Sequence, residues 1–189
     1  MPYWRLALQH CFGVHYAEIG TYGMTAQVYP GAIKSFGTDG LTDVAFDATY
    51  QYLPGGDFSL SGYANYIYED RNQHASHMLI GANAFDRLNT LRLTATASYL
   101  DTFTLDEQYF SINGTTDDAV FFPNGSPNSV GWITEIDYSP GGKPDSLLPD
   151  WINVKLSLQY VAYDEFNGTS RHASDNNTLY GLVWIAWTY

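Results

Sequence analysis

The chain has few charged residues, and basic residues are especially scarce. Lys and Arg together number 8, against 20 Asp and Glu, and charged residues make up 15% of the 189 positions. Ordinary soluble domains carry roughly 25% charged residues. With a formal net charge of −12, the chain offers no basic patch that could neutralise phosphates. This balance argues against nucleic acid as a partner.

Cysteine and long apolar runs are scarce as well. Cys11 is the single cysteine, so we expect neither a disulfide framework nor a thiolate metal cluster. The C-x-x-C-H run that binds c-type haem is absent, and we expect no cofactor. No stretch of about 18 apolar residues appears, which excludes a transmembrane helix. No basic-plus-apolar signal peptide opens the sequence.

Aromatic residues are abundant, at 16% of the chain with 16 tyrosines, and they fall within a pattern of period two. The clearest case is residues 151–163, where apolar and polar side chains alternate through Ile152, Asn153, Val154, Lys155 and Leu156. A helix would scatter these apolar residues around its circumference. The segment is therefore predicted to be a strand with one apolar face and one polar face.

The same alternation predicts nine strands. Clear ones cover residues 42–53, 58–69, 90–99, 132–138, 151–163 and 178–189, and weaker ones cover 3–12, 15–29 and 103–112. Most are about ten residues or longer, which suits a tilted membrane-spanning strand. Tyrosines fall towards strand ends, as an aromatic girdle requires, at Tyr50, Tyr52, Tyr66, Tyr68, Tyr99, Tyr138 and Tyr163.

The connections between these strands alternate in length. Short turns lie at 13–14, 54–57 and 101–102, and long polar loops lie between them near 30–41, 70–89, 113–129 and 167–177. The connection at 139–150 departs from this pattern, because it falls on the side of the short turns but is not short. Outer-membrane barrels have short periplasmic turns and long external loops. We therefore predict one domain over residues 1–189, an all-β, antiparallel, up-and-down transmembrane β-barrel located in the bacterial outer membrane.

An odd number of strands makes this barrel incomplete. If the last strand ends in the periplasm, residue 1 lies outside the cell, whereas closed single-chain barrels of this kind have an even number of strands. Open edges in lipid leave backbone groups unpaired. We therefore expect further strands upstream or from another chain, with residues 1–189 forming the C-terminal portion of a longer barrel.

Several runs resemble a group of large bacterial outer-membrane porin-like proteins. They include TDVAFDA at 42–48, LNTLRL at 88–93 and ASDNNTLY at 173–180, together with residues 2–7, 20–24, 28–31, 50–52, 125–127 and 131–133. The resemblance spans nearly the whole chain and corresponds to the C-terminal half of the family. Members tend to occur beside multihaem cytochromes. The resemblance implies an outer-membrane barrel and, as a partner, a multihaem cytochrome enclosed for electron transfer; it brings no catalytic residues.

The polar strand faces predict the charges of a lumen. If the apolar faces meet lipid, the candidate lumen-facing charges are Asp43, Asp47, Glu69, Arg92, Glu135, Asp137 and Lys155, with Arg5 beside them. An excess of carboxylates favours cations in a pore, although such charges can also simply pair across strands. At the other end of the chain, Val183, Ile185, Trp187 and Tyr189 look like a C-terminal assembly signal, which implies the outer-membrane assembly machinery as a partner.

Two other classes of function stay open. A soluble β-barrel that binds an apolar ligand would bury the side of residues 152–158 that carries Leu156 and expose the side that carries Lys155. An outer-membrane hydrolase would bring His172 or His74 to a serine and a carboxylate; His172, Ser174 and Asp175 have the residue types of such a triad. Metal binding is a weaker alternative, on His74 and His77 or on the loop acids Asp117, Asp118, Asp164, Glu165 and Asp175. We expect no enzyme and no bound metal.

Overall fold

The computed structural model describes residues 1–142, 146, 148–149 and 151–187. These residues form one antiparallel sheet in which each strand pairs with the next along the chain. The strands are β1 (Tyr3–Phe12), β2 (His15–Val28), β3 (Asp39–Tyr52), β4 (Phe58–Asn72), β5 (Phe85–Tyr99), β6 (Phe103–Gly114), β7 (Ser129–Tyr138), β8 (Ile152–Glu165) and β9 (Thr178–Trp187). A short helix, α1 (His74–Ile80), and 3-10 turns at Pro30–Ala32, Pro140–Gly142 and Ala173–Asn176 lie in the connections.

The predicted all-β, up-and-down topology with nine strands is confirmed. The sheet is open, because in the described part of the chain β1 pairs with β2 alone and β9 with β8 alone. None of the described helices is long and apolar enough to cross a membrane. The connections at one end of the sheet, the loop end, are all long. Those at the other end, the turn end, are short except for residues 139–151, which join β7 to β8.

The strands run further towards the loop end than the alternation predicts. β3 begins at Asp39, β4 continues to Asn72 and β5 begins at Phe85, so parts of the predicted loops 30–41 and 70–89 are strand. There the ladder pairs polar residues such as Asp70 with Arg87. Backbone hydrogen bonds do not need apolar side chains, so the ladder continues where the apolar alternation has ended. Residues 74–80, predicted to lie in a loop, form α1.

The two faces of the sheet differ in chemistry and in exposure. The apolar face carries large aliphatic side chains that stay exposed, such as Leu8 at 69%, Ile19 at 63% and Val183 at 65%. The polar face is the enclosed one, with Asp47 at 6% and Asp137 at 5%. This distribution is expected of a sheet that curves around its polar face.

A conventional hydrophobic core is missing from the described residues. The buried hydrophobic side chains there are few and mostly small: Ala45, Ala75, Ala82, Phe110, Val161 and Ala173. An exposed leucine forgoes roughly 1.5–3 kcal/mol of burial in water. The cross-strand backbone ladders, rather than packed side chains, therefore provide most of the order in this sheet.

Aromatic side chains occupy two levels of the apolar face. The turn-end aromatics include Phe12, Tyr52, Phe58, Tyr99, Phe103, Tyr138 and Trp187, and the loop-end aromatics include Trp4, Tyr66, Tyr68, Tyr109 and Trp132. On β6 the two levels are separated by the distance along the strand from Phe103 to Tyr109. On β1 they are separated by the distance from Trp4 to Phe12. At 3.4 Å per residue, these separations are about 20–27 Å.

Tyr163 does not belong to these levels, contrary to the prediction. It pairs with Gly131 on the polar face, where its ring packs edge-on against Phe110 with the ring centroids 5.6 Å apart. The register shifts between Val130 and Gly131. A β-carbon on Gly131 would overlap the Ala162 carbonyl oxygen and the Phe110 ring, so glycine makes this aromatic contact possible.

We expect Gly131→Ala to lower the free energy of unfolding by roughly 1–3 kcal/mol, because the added methyl group overpacks this site. Gly181→Ala is the matched control, since a β-carbon at Gly181 on β9 meets no atom within 4 Å, and it should change stability by less than about 0.5 kcal/mol. Urea unfolding followed by circular dichroism measures both. Equal effects of the two substitutions would contradict the role assigned to Gly131.

Candidate functional site

The seven charges predicted to face a lumen all lie on the polar face. Asp43 on β3 lies opposite Glu69 on β4. Asp47 on β3 lies opposite Asn65 on β4, and Asn65 in turn lies opposite Arg92 on β5. The remaining three, Glu135, Asp137 and Lys155, share the face that contains Gly131 and Ser157. Glu18, Asp106, Arg71 and Arg5 lie on this face as well. Carboxylates outnumber cationic groups in this set.

Arg5 forms the first charge network of the polar face. Its guanidinium donates to both carboxylate oxygens of Asp47, at 2.8 and 3.0 Å, and to Glu18 at 2.7 Å. The Tyr16 hydroxyl donates to the other oxygen of Glu18 at 2.5 Å. A bidentate arginine–carboxylate pair fixes geometry as well as charge. The network spans β1, β2 and β3, so it fixes the edge strand to the rest of the sheet.

Lys155 forms a second network on β6, β7 and β8. Its ammonium lies 2.8 Å from Asp137 and 3.6 Å from Glu135. Ser157 also donates to Asp137, Gln159 donates to Glu135, and Thr96 donates to Asp106. The oxygens of Asp106, Glu135 and Asp137 lie within 4.8 Å of one another. They are the oxygen ligands that a hard cation would need, but Lys155 already supplies a positive charge to two of them.

Outside these two networks, the charges of Asp43 and Arg92 are less well paired. Asp43 lies opposite Glu69, whose carboxylate accepts from Arg71, and one Asp43 oxygen has no hydrogen-bond partner. Arg92 is exposed and has no carboxylate within 4.0 Å among the residues that the structure describes. Arg92 is therefore a positive charge available to the space that the polar face encloses.

The candidate hydrolase residues and the two histidines of the candidate metal site are exposed in the loop-end connections. Of the predicted loop acids, Asp164 and Glu165 instead lie at the end of β8. His172 Nδ1 lies 3.2 Å from the Asp175 carboxylate, with side chains 69% and 71% exposed. His74 and His77 lie on α1, where His77 Nδ1 contacts the Ala82 carbonyl oxygen at 2.6 Å. An exposed histidine–aspartate contact of this kind orients a ring but encloses no substrate.

Three acids at the loop end are buried, and the sequence did not indicate this. Asp117, predicted to be a solvated loop acid, is 4% exposed, and Asp86 is 2% exposed. Asp39, 8% exposed, accepts the Ala75 and Ser76 backbone N–H groups at 2.8 and 3.0 Å and so holds α1. Asp39 and Asp117 accept from Ala75 and Asn83, which are 36 and 34 residues away, so alternation along one segment carries no sign of these contacts.

Of the proposed C-terminal signal, Val183, Ile185 and Trp187 project from the apolar face of β9 and are all exposed. Tyr189 lies outside the described residues. The structure thus preserves the predicted alternation up to Trp187.

Together the sheet and its charges define a class of protein by architecture: an open, nine-stranded, up-and-down antiparallel sheet with an exposed apolar face and an enclosed charged face. Searches with the sequence and the fold found no matching protein-family model, no matching curated protein and no matching solved structure.

We expect Lys155→Met to lower the free energy of unfolding by about 1–2 kcal/mol, because it leaves Asp137 and Glu135 together without a cation. The side chains of these two acids are only 7% and 17% exposed. Arg87→Met is the matched control. The Arg87–Asp70 pair is 3.5 Å apart with side chains 69% and 56% exposed, so its loss should cost less than about 0.5 kcal/mol. A larger loss from Arg87→Met than from Lys155→Met in urea unfolding would refute this ranking.

Proposed function

We propose that this chain forms part of the wall of a porin-like β-barrel in the bacterial outer membrane, with no enzymatic activity. The apolar face meets lipid and the polar face lines a water-filled lumen. One observation carries the proposal: large aliphatic side chains are exposed on one face, while charged side chains are enclosed by the other. A transmembrane barrel requires this inversion of the ordinary soluble arrangement.

The aromatic levels support the same placement. Rings at both ends of an apolar band form the girdles of outer-membrane barrels, in which the band is about 25 Å tall. The turn-end and loop-end aromatics are about 20–27 Å apart along the strands. A strand tilt of about 35–45° makes this roughly 14–22 Å along the membrane normal, so the rings enclose most of such a band. Apart from residues 139–151, the connections are short at one end and long at the other, which is the arrangement of periplasmic turns and external loops.

A soluble barrel with an apolar ligand inside fits this sheet less well. Such a protein would enclose Leu156 and Leu158, which are 43% and 53% exposed, and it would expose Ser157, which is 7% exposed. The curvature is therefore the reverse of what that function needs.

The edges of the sheet set a condition on closure. Unpaired backbone groups in lipid cost several kcal/mol each, so β1 and β9 need strand partners. Because both strands run in the same direction, a barrel in which every pair is antiparallel needs an odd number of additional strands. We propose that another part of the protein or another chain supplies them.

The resemblance to porin-like proteins adds a partner to this proposal. A multihaem cytochrome enclosed by the polar face would turn the pore into a sheath for electron transfer. The two forms differ in conductance: a bare pore carries ions, whereas an occupied sheath carries ions only after the cytochrome has been removed. Planar-bilayer recordings before and after extraction of haem protein distinguish them.

The placement of the faces can be tested with a matched pair of tryptophans on β9. Trp187 lies on the apolar face and Trp184 on the polar face, at nearly equal exposures of 67% and 63%. In single-tryptophan proteins reconstituted into vesicles, brominated lipids should quench Trp187 and spare Trp184, and aqueous iodide should do the reverse. A soluble protein would show iodide quenching of both, and that result would refute membrane insertion.

We expect the pore to prefer cations because carboxylates outnumber cationic groups on its wall. Arg92→Gln should increase this preference and shift the zero-current potential under a salt gradient further in the cation direction. Arg87→Gln, at the loop end and on the opposite face, should leave the potential unchanged. An unchanged potential in Arg92→Gln would remove Arg92 from the lumen wall.

A further inference from the structure

Two carboxyl groups meet at the loop end of the sheet, in a place closed to solvent. Asp86, at the start of β5, is 2% exposed, and Asp117, in the connection between β6 and β7, is 4% exposed. Asn83 joins them, because its backbone N–H donates to Asp117 and its side-chain amide donates to Asp86. Asp86 lies beyond Asn89, the partner of the loop-end aromatic Tyr68, so the pair is outside the band assigned to lipid.

The two acids accept hydrogen bonds from different kinds of donor. Asp117 accepts two backbone N–H groups, from Asn83 at 2.7 Å and from Ala119 at 2.9 Å. Asp86 accepts only side-chain amides, from Gln73 at 2.6 Å and from Asn83 at 2.9 Å. Backbone N–H groups in a folded loop stabilise a carboxylate strongly. Asp86 therefore lacks the backbone donors that would stabilise its carboxylate form.

The charged groups around Asp86 and Asp117 either pair with other residues or are exposed to solvent. On β4, Arg71 lies opposite Asp86 in the strand pairing but donates to Glu69, and Asp70 pairs with Arg87. On α1, His74 and His77 are exposed, while Asp39 of β3 binds the start of that helix. Asp118, beside Asp117, is exposed. No cation thus lies within 4.0 Å of Asp86 or Asp117 in the part of the chain that the structure describes.

We propose that Asp86 and Asp117 share one proton, and that this proton fastens the connection of residues 73–84 to the connection of residues 115–128. Two adjacent buried anions repel each other and lack solvation, so loss of the proton separates the two connections. The contact is a pH-sensitive latch between two loop-end connections, and it does not depend on the pore assigned above.

The direction of the pH dependence follows from the acid that holds the proton. Burial, and after it the neighbouring Asp117 carboxyl, raise the pKa of Asp86 above its ordinary value. A carboxyl whose pKa is raised in the closed state stabilises that state below its ordinary pKa, and this stabilisation is lost as the pH rises through the raised value. The loops are therefore held most tightly in acid and loosen as the pH increases.

Hydrogen exchange measured by mass spectrometry on the purified full-length protein tests this latch. In peptides that cover residues 73–84 and 115–126, exchange corrected for the intrinsic rate should rise about tenfold per pH unit above the ordinary carboxyl pKa of about 4. It should become constant above the raised pKa of Asp86. Peptides from the centre of β5 should stay protected throughout, which shows that the sheet is intact.

Two variants of equal charge change provide the comparison. Asp86→Asn keeps a neutral hydrogen-bonding group and should give slow exchange that does not depend on pH. Asp118→Asn alters the exposed neighbour and should behave as the wild type. Exchange in the wild type that does not change with pH, or a slope that persists in Asp86→Asn, would overturn the proposal.

Two further measurements on the wild type do not depend on the folding of any variant. The infrared carbonyl band of a protonated carboxyl should disappear around the pH at which exchange becomes constant, because Asp86 loses its proton there; a band that persists would overturn the proposal. Exchange at high pH should be the same in EDTA and in millimolar Ca²⁺. If Ca²⁺ restores protection, a cation rather than a proton joins the two carboxyl groups, and the latch as proposed is wrong.

Discussion

The backbone ladders between neighbouring strands hold this protein together, and its other features depend on them. Eight consecutive antiparallel pairings connect β1 to β9, while buried hydrophobic side chains among the described residues are few. A soluble domain gains much of its stability from apolar burial. Here the ladder fixes which side chains share a face, and the faces then divide the chain into an exposed apolar surface and an enclosed charged one.

That division explains why the charge networks have the form that they do. Arg5 reaches Asp47 across β2, and Lys155 contacts acids on the neighbouring β7. On a curved sheet, side chains of the enclosed face converge, so long cations span more than one strand. The networks fix neighbouring strands side by side at the places where small side chains contribute little packing.

The fold was predictable because its main signal is local. A period of two reveals itself within one segment, so the nine strands and the common face of Asp47 and Glu135 follow from the sequence alone. The loop end was less predictable, since both faces are polar there and strand ends such as Asn72 and Phe85 carry no alternation. Helix α1 is seven residues long, too short to show a helical period.

The contacts within the site could not be predicted for a different reason. The pairing of Arg5 with Asp47, 42 residues away, depends on the register of two ladders, which no single segment encodes. The burial of Asp86 and Asp117 depends on how two connections pack against each other. Acidic residues in polar segments look like solvated loop residues until the partner segment is known.

The connections at the loop end are joined in series. Asp39 holds α1, Asn83 bonds to Asp117, and the Asn128 carbonyl accepts from Gly168 at 2.7 Å. Surface loops usually accumulate substitutions and insertions independently of one another. Here a change in one connection alters the partner of the next, so selection on these loops acts on them jointly. A substitution in one connection should therefore be accompanied by compensating changes in the connection to which it bonds.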